Sequence, residues 1–234
     1  MPVSRIELIP VEGMPEIAPG DDVATAIMNH AELSEGDVVV VTQKIVSKAE
    51  NRIVDVDPDD PLSHKPLVER EAVRVLRRRG DLVITETTHG FVCANAGIDR
   101  SNVAAGTVAL LPEDSDRSAR RIRARVKARV EVDVAVIISD TFGRPWRRGV
   151  TDVAIGSAGI RPIVDLRGTE DAMGNELHVT EVAVVDELAA AAELVMGKAT
   201  GCPVAIVRGV DPDWLGDGEV GSDLIRRPAE DLFR

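Results

Sequence analysis

A run of apolar, mostly β-branched residues at 134–138 is the strongest structural signal in the chain. A run of this length, bounded by polar residues, is typical of a strand that is buried on both faces. We expect the strand to stop at Ser139-Asp140-Thr141, because Gly143 then breaks the pattern. The sequence therefore predicts a carboxylate and a hydroxyl where a buried strand delivers the chain to the surface.

The oxygen atoms of Asp140 and Thr141 suit a hard divalent cation such as Mg²⁺ or Mn²⁺. Arg144, Arg147 and Arg148 follow shortly afterwards. A carboxylate, a hydroxyl and an arginine cluster together are what metal-assisted phosphoryl transfer requires. A strand end with a solvated turn and three surface arginines explains the same residues, since Asp and Gly are common in turns. From these residues alone, both interpretations stay open.

Composition excludes several classes of protein. With 234 residues and 44% hydrophobic content, the chain is long and apolar enough for one large domain or two small ones. A net charge of −12 argues against a partner that is a nucleic acid or an anionic membrane. Cys93 and Cys202 lie far apart without metal-ligand spacing, so we expect a reduced, cytoplasmic setting. No segment has the length and hydrophobicity of a membrane span.

Strand-like and helix-like segments alternate along the chain, which predicts a mixed α and β fold, class α+β. Small residues at 151–160 further predict close backbone packing there. The predicted strands lie at residues 6–9, 38–42, 82–87, 108–112 and 204–209. The predicted helices lie at residues 23–28, 67–79, 117–129 and 182–196.

Other polar residues follow predicted strands. Asp99 could join Asp140 on one metal ion, and Asn102 could form a hydrogen bond to a nucleotide. A simple Asx turn also explains the presence of Asp99 and Asn102. Lys48 suits a phosphate as a point charge or, equally, a surface position on a helix. An acidic, Gly-rich loop at 211–219 either supplies a second metal position or solvates the loop. No Walker loop and no G-x-S-x-G elbow occurs in the sequence.

Six stretches, in order, resemble the coenzyme F420-0:L-glutamate ligase family, also called coenzyme F420:γ-glutamyl ligase, over essentially the whole chain. They are P-V-E-G-M-P from Pro10, D-V-V-V-V-T-Q-K-I-V-S-K-A-E from Asp37, N-A-G-I-D-R-S-N-V from Asn95, I-S-D-T-F-G-R-P-W-R-R-G from Ile138, G-N-E-L-H-V-T-E-V-A-V-V-D-E-L from Gly174 and V-R-G from Val207. Six stretches in one order are far more specific than any single one. The chain looks like the single-domain archaeal form, with one domain over residues 1–234.

The resemblance implies a reaction and its partners. GTP would phosphorylate a terminal carboxylate of coenzyme F420-0, and the amine of L-glutamate would attack the acyl phosphate; a second glutamate would follow through its γ-linkage. The implied cofactors are two divalent cations, Mg²⁺ or Mn²⁺, with K⁺ as an optional addition. The implied fold is a two-lobed α+β unit with mixed sheets, which forms an intertwined homodimer.

The resemblance also assigns residues. Asp99 and Asp140 would bind one metal and Thr141 the second, together with Glu219 or its rival Asp217. The positions that match GTP-binding residues are Met14, Pro15, Glu16, Ile17, Thr42, Gln43, Lys48, Asn102 and Gly218. Chemistry, rather than the resemblance, favours Arg144, Arg147 and Arg148 as catalytic groups that contact the substrate phosphate or the developing charge.

Two other functions stay open from the sequence. One is a metal-dependent kinase or amide ligase that acts on a different phosphorylated carboxylate. The other is a GTP-binding or assembly module without catalysis. Acidic residues at two separate strand ends make the module the least favoured of the three, because a pure binding site has less use for paired metal ligands.

Overall fold

The computed structural model describes residues 5–232, which fold around a five-stranded mixed sheet. The strands are β1 Glu7–Pro10, β2 Val38–Thr42, β3 Ile53–Asp55, β4 Ala72–Arg79, β5 Leu82–Thr87, β6 Val92–Ala94, β7 Thr107–Ala109, β8 Ala135–Arg144, β9 Arg147–Ala158, β10 Val164–Asp165, β11 Glu181–Val182 and β12 Val204–Arg208. The α-helices are α1 Val23–Met28, α2 Gln43–Ala49, α3 Lys65–Glu71, α4 Ser115–Val130 and α5 Val184–Met196. Helices and several sheets coexist, so the predicted α+β class is confirmed.

The central sheet has the strand order β1-β12-β2-β8-β9. Strands β2 and β8 are parallel, whereas the other neighbouring pairs are antiparallel. The apolar residues of β2 and the first half of β8 are completely buried. This burial confirms the prediction for residues 134–138 and explains the unbroken apolar runs, because both faces of the sheet are covered.

Helices cover the two faces of the central sheet. Helices α1, α2 and α4 pack on one face, over Val39, Val136 and Ile138, whereas α5 packs on the other, over Val40 and Ile137. Helix α4 begins where the Asp114 side chain accepts a hydrogen bond from the Arg117 backbone, an N-cap that replaces a missing helical partner.

The predicted close packing at 151–160 occurs where β9 passes under the start of α4. A Cβ atom at Gly156 would lie 2.3 Å from the backbone carbonyl carbon of Ser115. Only glycine therefore fits at this point of the sheet, and the strand and helix backbones are in direct contact.

A second, smaller core lies beside the main one. It is formed by α3, the β3–β7 pair and the turn after β6, and its buried residues are Val68, Ala96, Ile98, Val108 and Leu110. The three-stranded sheet β4-β5-β6 contacts α3 and this turn. Strand β6 contacts β8 of the central sheet. This contact places the turn that carries Asp99 next to the strand that carries Asp140.

Two predictions of local structure were wrong. The helix predicted at 67–79 ends at Glu71, and the segment from Ala72 onwards is strand β4, which pairs with β5. Val73 and Val75 fit the alternation of a strand as well as a helical face, and β-branched residues favour the strand. Arg74 also pairs with Glu86 across the two strands, at 2.7 Å.

The strand predicted to stop at Ser139-Asp140-Thr141 instead continues to Arg144 and turns into β9. Gly143 does not end the strand, because it still pairs with Val150 across the hairpin. Irregular pairing between Ile138 and Ser139 marks a β-bulge directly before Asp140. Bulges of this kind commonly re-aim side chains next to functional sites. In the described part of the chain, no helix has the length and hydrophobicity needed to cross a membrane.

Candidate active site

The candidate site lies at the edge of the central sheet where the parallel strands β2 and β8 both end or leave the core. Thr42 pairs with Ser139 in this register, so the start of α2 lies next to Asp140. The edge outside the carboxyl ends of neighbouring parallel strands is where open α/β sheets commonly bind ligands. Thr42 and Gln43, which are predicted to bind GTP, and Asp140 and Thr141, which are predicted to bind metal, therefore lie at the same edge of the sheet.

Asp140 is partly buried, and its carboxyl group is the most perturbed acid of this site. Burial raises its pKa, and the negative charges of Asp99 and Asp152 raise it further. The backbone N–H of Thr141 and the charge of Lys44 act in the opposite direction, and the resulting pKa is about 7. A carboxyl group with this pKa has too little positive charge around it, so a cation bound nearby would favour its ionised form.

Asp99 lies in the turn after β6 and is held in its ionised form. Its carboxylate accepts hydrogen bonds from Lys44 Nζ at 2.6 Å and from the Ser101 backbone N–H at 2.7 Å. Burial raises the pKa of Asp99, but the bonds from Lys44 and Ser101 outweigh it and leave the pKa below its ordinary value. Lys44, on α2, therefore connects the nucleotide-side helix to the turn of Asp99.

A second carboxylate cluster is centred on Asp152, which lies on β9 and is 2% exposed. Asp152 accepts hydrogen bonds from Ser139 Oγ at 3.1 Å, Thr141 Oγ1 at 2.6 Å and Lys198 Nζ at 2.8 Å. Lys198 follows the end of α5 and also pairs with Glu193 at 2.8 Å. Burial lowers the pKa of Lys198, but its bonds to the two acids outweigh this and raise the pKa, so its ammonium group stays charged.

Four of the predicted residues are thus neighbours: Asp99, Asn102, Asp140 and Thr141. Asn102 joins the group because its Nδ2 donates to the Lys198 carbonyl, at 3.4 Å. Sequence reasoning missed the residues that link them, namely Lys44, Asp152, Glu193 and Lys198. A regular hairpin prediction at 144–147 would have placed Val150 opposite Thr141, and only the irregular pairing between Gly143 and Arg144 brings Asp152 to that position. The sequence offered no signal for Lys198.

The predicted nucleotide residues lie along α2, with Gln43 at its start and Lys48 in its last turn. Lys48 forms an ion pair with Glu16, and this contact brings the loop of residues 14–17 onto the helix. Gln43 is 2% exposed; its Oε1 accepts from Ser47 Oγ at 2.7 Å, whereas its Nε2 has no hydrogen-bond partner among the described residues. Such a buried donor is costly unless a ligand or water bonds to it.

The other members of the predicted nucleotide group lie in the same region. Met14 is partly buried against the main core, Ile17 is buried, and Pro15 lies exposed between them. The backbone N–H of Thr42 donates to the Pro203 carbonyl at 2.9 Å. GTP binding by these residues stays a prediction, with a common location as its support.

Asp217, Gly218 and Glu219 lie elsewhere in this chain. Glu219 forms an ion pair with Arg120, and Asp217 is exposed. Gly218 packs on Pro162, where a Cβ atom would lie 2.4 Å from the proline Cδ. The backbone bond from Gly216 to Gly159 ties this loop to the far end of β9, roughly 20 Å from Asp152 at the usual rise per strand residue. Their assignment to metal and GTP stays a prediction without a supporting contact within one chain.

Arg144, Arg147 and Arg148 lie at the exposed tip of the β8–β9 hairpin. Arg144 pairs with Arg147 across the turn, and its Nη2 donates to the Arg148 carbonyl at 3.0 Å. No ion pair of these three arginines is found among residues 5–232. The arginines share a hairpin with Thr141 and Asp152, and their catalytic role stays a prediction.

The donor atoms at the sheet edge fit a hard divalent cation in type. In the part of the chain that is described, no three His, Cys, Asp or Glu side chains are gathered closely enough to hold a metal ion unaided. Mg²⁺ is usually bound through one or two carboxylates together with substrate phosphates and water, so a complete protein cage is not required. The carboxylates of Asp99 and Asp140 and the Thr141 hydroxyl are suitable donors for this mode of binding.

The fold and the site together define an α+β protein in which the carboxylates of Asp99 and Asp152 pair with Lys44 and Lys198 at the edge of the central sheet. Residues 13–209 match the model of the F420-0:Gamma-glutamyl ligase family, and the chain belongs to this family. It is 45% identical to a protein of Methanopyrus kandleri named coenzyme F420:L-glutamate ligase, with 100% of this chain and 99% of the relative aligned.

Two further archaeal relatives carry the same name. The protein of Methanothermobacter thermautotrophicus is 44% identical, over 98% of this chain and 99% of the relative. The protein of Haloarcula marismortui is 40% identical, over 98% of this chain and 96% of the relative. The resemblance inferred from six sequence stretches is therefore confirmed at the level of the family.

Proposed function

We propose that this chain is a coenzyme F420:L-glutamate ligase, which uses GTP to join L-glutamate to coenzyme F420-0 during coenzyme F420 biosynthesis. Relatives that align over nearly the whole chain carry the name of this ligase. The observation that carries the proposal is the neighbourhood of Asp99, Asn102, Asp140 and Thr141, four residues that the family resemblance assigns to metal and nucleotide.

The proposed reaction has two chemical steps. In the first, a carboxylate oxygen of coenzyme F420-0 attacks the γ-phosphorus of GTP, and GDP leaves. In the second, the uncharged amine of L-glutamate attacks the acyl carbon; the amine loses a proton, and inorganic phosphate leaves. A further cycle would add another glutamate through the γ-carboxylate of the first. Each cycle consumes one GTP and forms one amide bond.

The residues of the chain would bind and orient the reactants. Lys48, now paired with Glu16, and the Gln43 amide, whose Nε2 has no partner among the described residues, would bind the phosphates of the nucleotide beside α2. Asp99, Asp140 and Thr141 would hold divalent cations, which neutralise phosphate charge and polarise the γ-phosphorus. Arg144, Arg147 and Arg148 would meet the substrate when the hairpin tip approaches it. Exclusion of water from this edge would protect the acyl phosphate.

Mass spectrometry tests this proposal directly. The purified chain is incubated with coenzyme F420-0, L-glutamate, GTP and Mn²⁺, beside Asp140→Ala. Products heavier by one or two glutamyl units in the wild type alone would support both the ligase and the site. GTP hydrolysis without a mass shift would favour a ligase or kinase for another acid, whereas GTP binding without turnover would favour a non-catalytic module.

The homodimer, an added K⁺ and a cytoplasmic location also belong to this proposal. The exposed tip of the β8–β9 hairpin supports association, because Trp146 is 82% exposed and Val150 is 61% exposed. Exposed apolar side chains on a protruding hairpin are typical of a surface that is covered in an assembly. Light scattering of the purified chain would distinguish a dimer from a monomer.

A further inference from the structure

The ammonium group of Lys198 lies where oxygen atoms of three side chains converge. Its Nζ is 2.8 Å from Asp152 Oδ1 and 2.8 Å from Glu193 Oε1, and it also donates to Thr141 Oγ1. Two carboxylates and a hydroxyl match the three protons of an ammonium group, and they also match the oxygen ligands of a hard cation. The ammonium group of Lys198 therefore already occupies the position of a cation at this site, and it belongs to the chain itself.

The two sides of the Lys198–Asp152 pair differ in how firmly they are held. The side chain of Asp152 is 2% exposed and is fixed by the hydroxyls of Ser139 and Thr141, whereas that of Lys198 is 55% exposed. A buried carboxylate needs a cationic partner at all times, because an unpaired buried charge is costly. A half-exposed lysine on a flexible stem can leave such a place at a much lower cost.

We infer that Asp152 is a further ligand of the proposed cation site, and that Lys198 is a tethered cation that a divalent ion displaces from Asp152 and Thr141. The inference rests on the proposed function in one respect, namely that a divalent cation binds at this sheet edge. It goes beyond that function because it adds a ligand and gives the chain an internal competitor for the cation. Lys198 then keeps Asp152 neutralised until the cation arrives.

An internal competitor lowers the apparent affinity of the site by the fraction of molecules in which the site is open. If the Lys198–Asp152 pair is formed in about nine-tenths of molecules, its removal should tighten cation binding about tenfold. The increase should depend on Asp152. A long-range effect of the lost positive charge would instead persist after Asp152 is neutralised, which makes the two explanations distinguishable.

The test uses the full chain, stripped of metal with EDTA and titrated with Mn²⁺ in the absence of nucleotide. Electron paramagnetic resonance reports the free Mn²⁺ at each step. The variants are Lys198→Met, the double variant Lys198→Met with Asp152→Asn, and the control Lys127→Met, whose lysine pairs with Asp133 away from the site. Thermal unfolding confirms that each variant is folded.

We expect Lys198→Met to bind Mn²⁺ about tenfold more tightly than the wild type, an increase that the competition argument predicts. The double variant should lose the increase, and Lys127→Met should match the wild type. Unchanged or weaker binding by Lys198→Met would overturn the inference, as would an increase that survives in the double variant. If Mn²⁺ binds as expected but no glutamyl product forms, the proposed reaction fails while the inference stands.

Discussion

Thr141 and Asp152 face each other across the β8–β9 hairpin, where the threonine hydroxyl donates to the carboxylate at 2.6 Å. The hairpin register fixes this pair, because the two strands are joined by a short turn and side chains directly opposite each other lie close together. The bulge before Asp140 adds local twist at the same point. The relative positions of Asp140, Thr141 and Asp152 therefore depend on one hairpin.

Removal of the Thr141 hydroxyl should impair catalysis more than folding. Thr141→Val keeps the shape of the side chain but leaves Asp152 without one of its hydrogen bonds. We expect glutamyl product formation to fall roughly tenfold to a hundredfold, since a hydrogen bond to a charged group contributes about 1.5–3 kcal/mol. Thr141→Ser retains the hydroxyl and should keep most activity. Equal rates for the two variants, measured by product mass, would argue against a role for the hydroxyl.

Replacement of Asp140 by Asn should stabilise the metal-free chain while it abolishes activity. Burial and two neighbouring carboxylates raise the pKa of Asp140 to about 7, so the ionised group disfavours the folded state. We expect the variant to gain about 1–2 kcal/mol in free energy of unfolding at pH 8, as sites retained for function often allow. Urea denaturation in EDTA measures the difference. A less stable variant would show that Asp140 is well paired without a cation.

The stability of the metal-free protein should depend on pH through the same residue. The pKa of Asp140 is about 7 in the folded chain, against roughly 3.9 for an unfolded aspartate. Between these values the folded chain binds a proton that the unfolded chain releases, so the Asp140 contribution to stability falls as pH rises.

Comparison of the wild type with Asp140→Asn isolates this contribution from that of other acids. Denaturation in EDTA at pH 5, 6 and 7.5 should show that the stability advantage of the variant grows with pH. Mn²⁺ affinity of the wild type should rise over the same range, because a proton and the cation compete for one carboxylate. An advantage that is constant with pH would contradict the raised pKa.

Much of the fold could be predicted from local patterns, whereas the connections within the site could not. The strand at 134–138 could be predicted because burial on both faces leaves an unbroken apolar run. The helix that ends at Gly197 could be predicted because burial along one side leaves apolar residues at helical spacing. The helix prediction for residues 72–79 was wrong because their apolar positions fit both the period of a helix and the alternation of a strand. Only the pairing with β5 decides for the strand.

The site depended on contacts that no local pattern contains. The residues alone left open whether Asp99 joins Asp140 on one metal or forms an Asx turn, because the proximity of the two acids follows from packing of β6 against β8. Lys198 reaches Asp152 from a different element, across 46 residues of chain. Long-range side-chain contacts of this kind require the tertiary structure, whereas the chemistry of the residues could be recognised beforehand.

Lys48 should contribute to nucleotide binding rather than to the chemical step. It lies at the end of α2 beside the loop of residues 14–17, with Glu16 as its present partner. We expect Lys48→Ala to raise the KM for GTP about tenfold or more, as loss of one charge-assisted contact predicts, with a smaller change in kcat. Lys127→Ala serves as the control. A pure kcat effect would place Lys48 at the reacting phosphate instead.

Gly156 should be essential for the packing of β9 under α4. Its substitution by Ala would place a Cβ atom 2.3 Å from the Ser115 backbone, which cannot move without shifting the helix. We expect a loss of about 2–4 kcal/mol in stability or failure to fold, in line with overpacked cores. Gly143→Ala, on the same hairpin but with open space around it, should have little effect on thermal unfolding. Equal melting temperatures for the two variants would contradict the close contact.

If this chain forms an amide through an acyl phosphate, as proposed, an oxygen atom passes from the carboxylate of coenzyme F420-0 to inorganic phosphate, and an isotope label reveals the transfer. Coenzyme F420-0 labelled with ¹⁸O in its terminal carboxylate is incubated with the chain, GTP, L-glutamate and Mn²⁺. We expect the inorganic phosphate released with each new amide to contain one ¹⁸O atom from that carboxylate. Glutamyl product with unlabelled phosphate would contradict the acyl phosphate, and absence of any product would contradict the ligase.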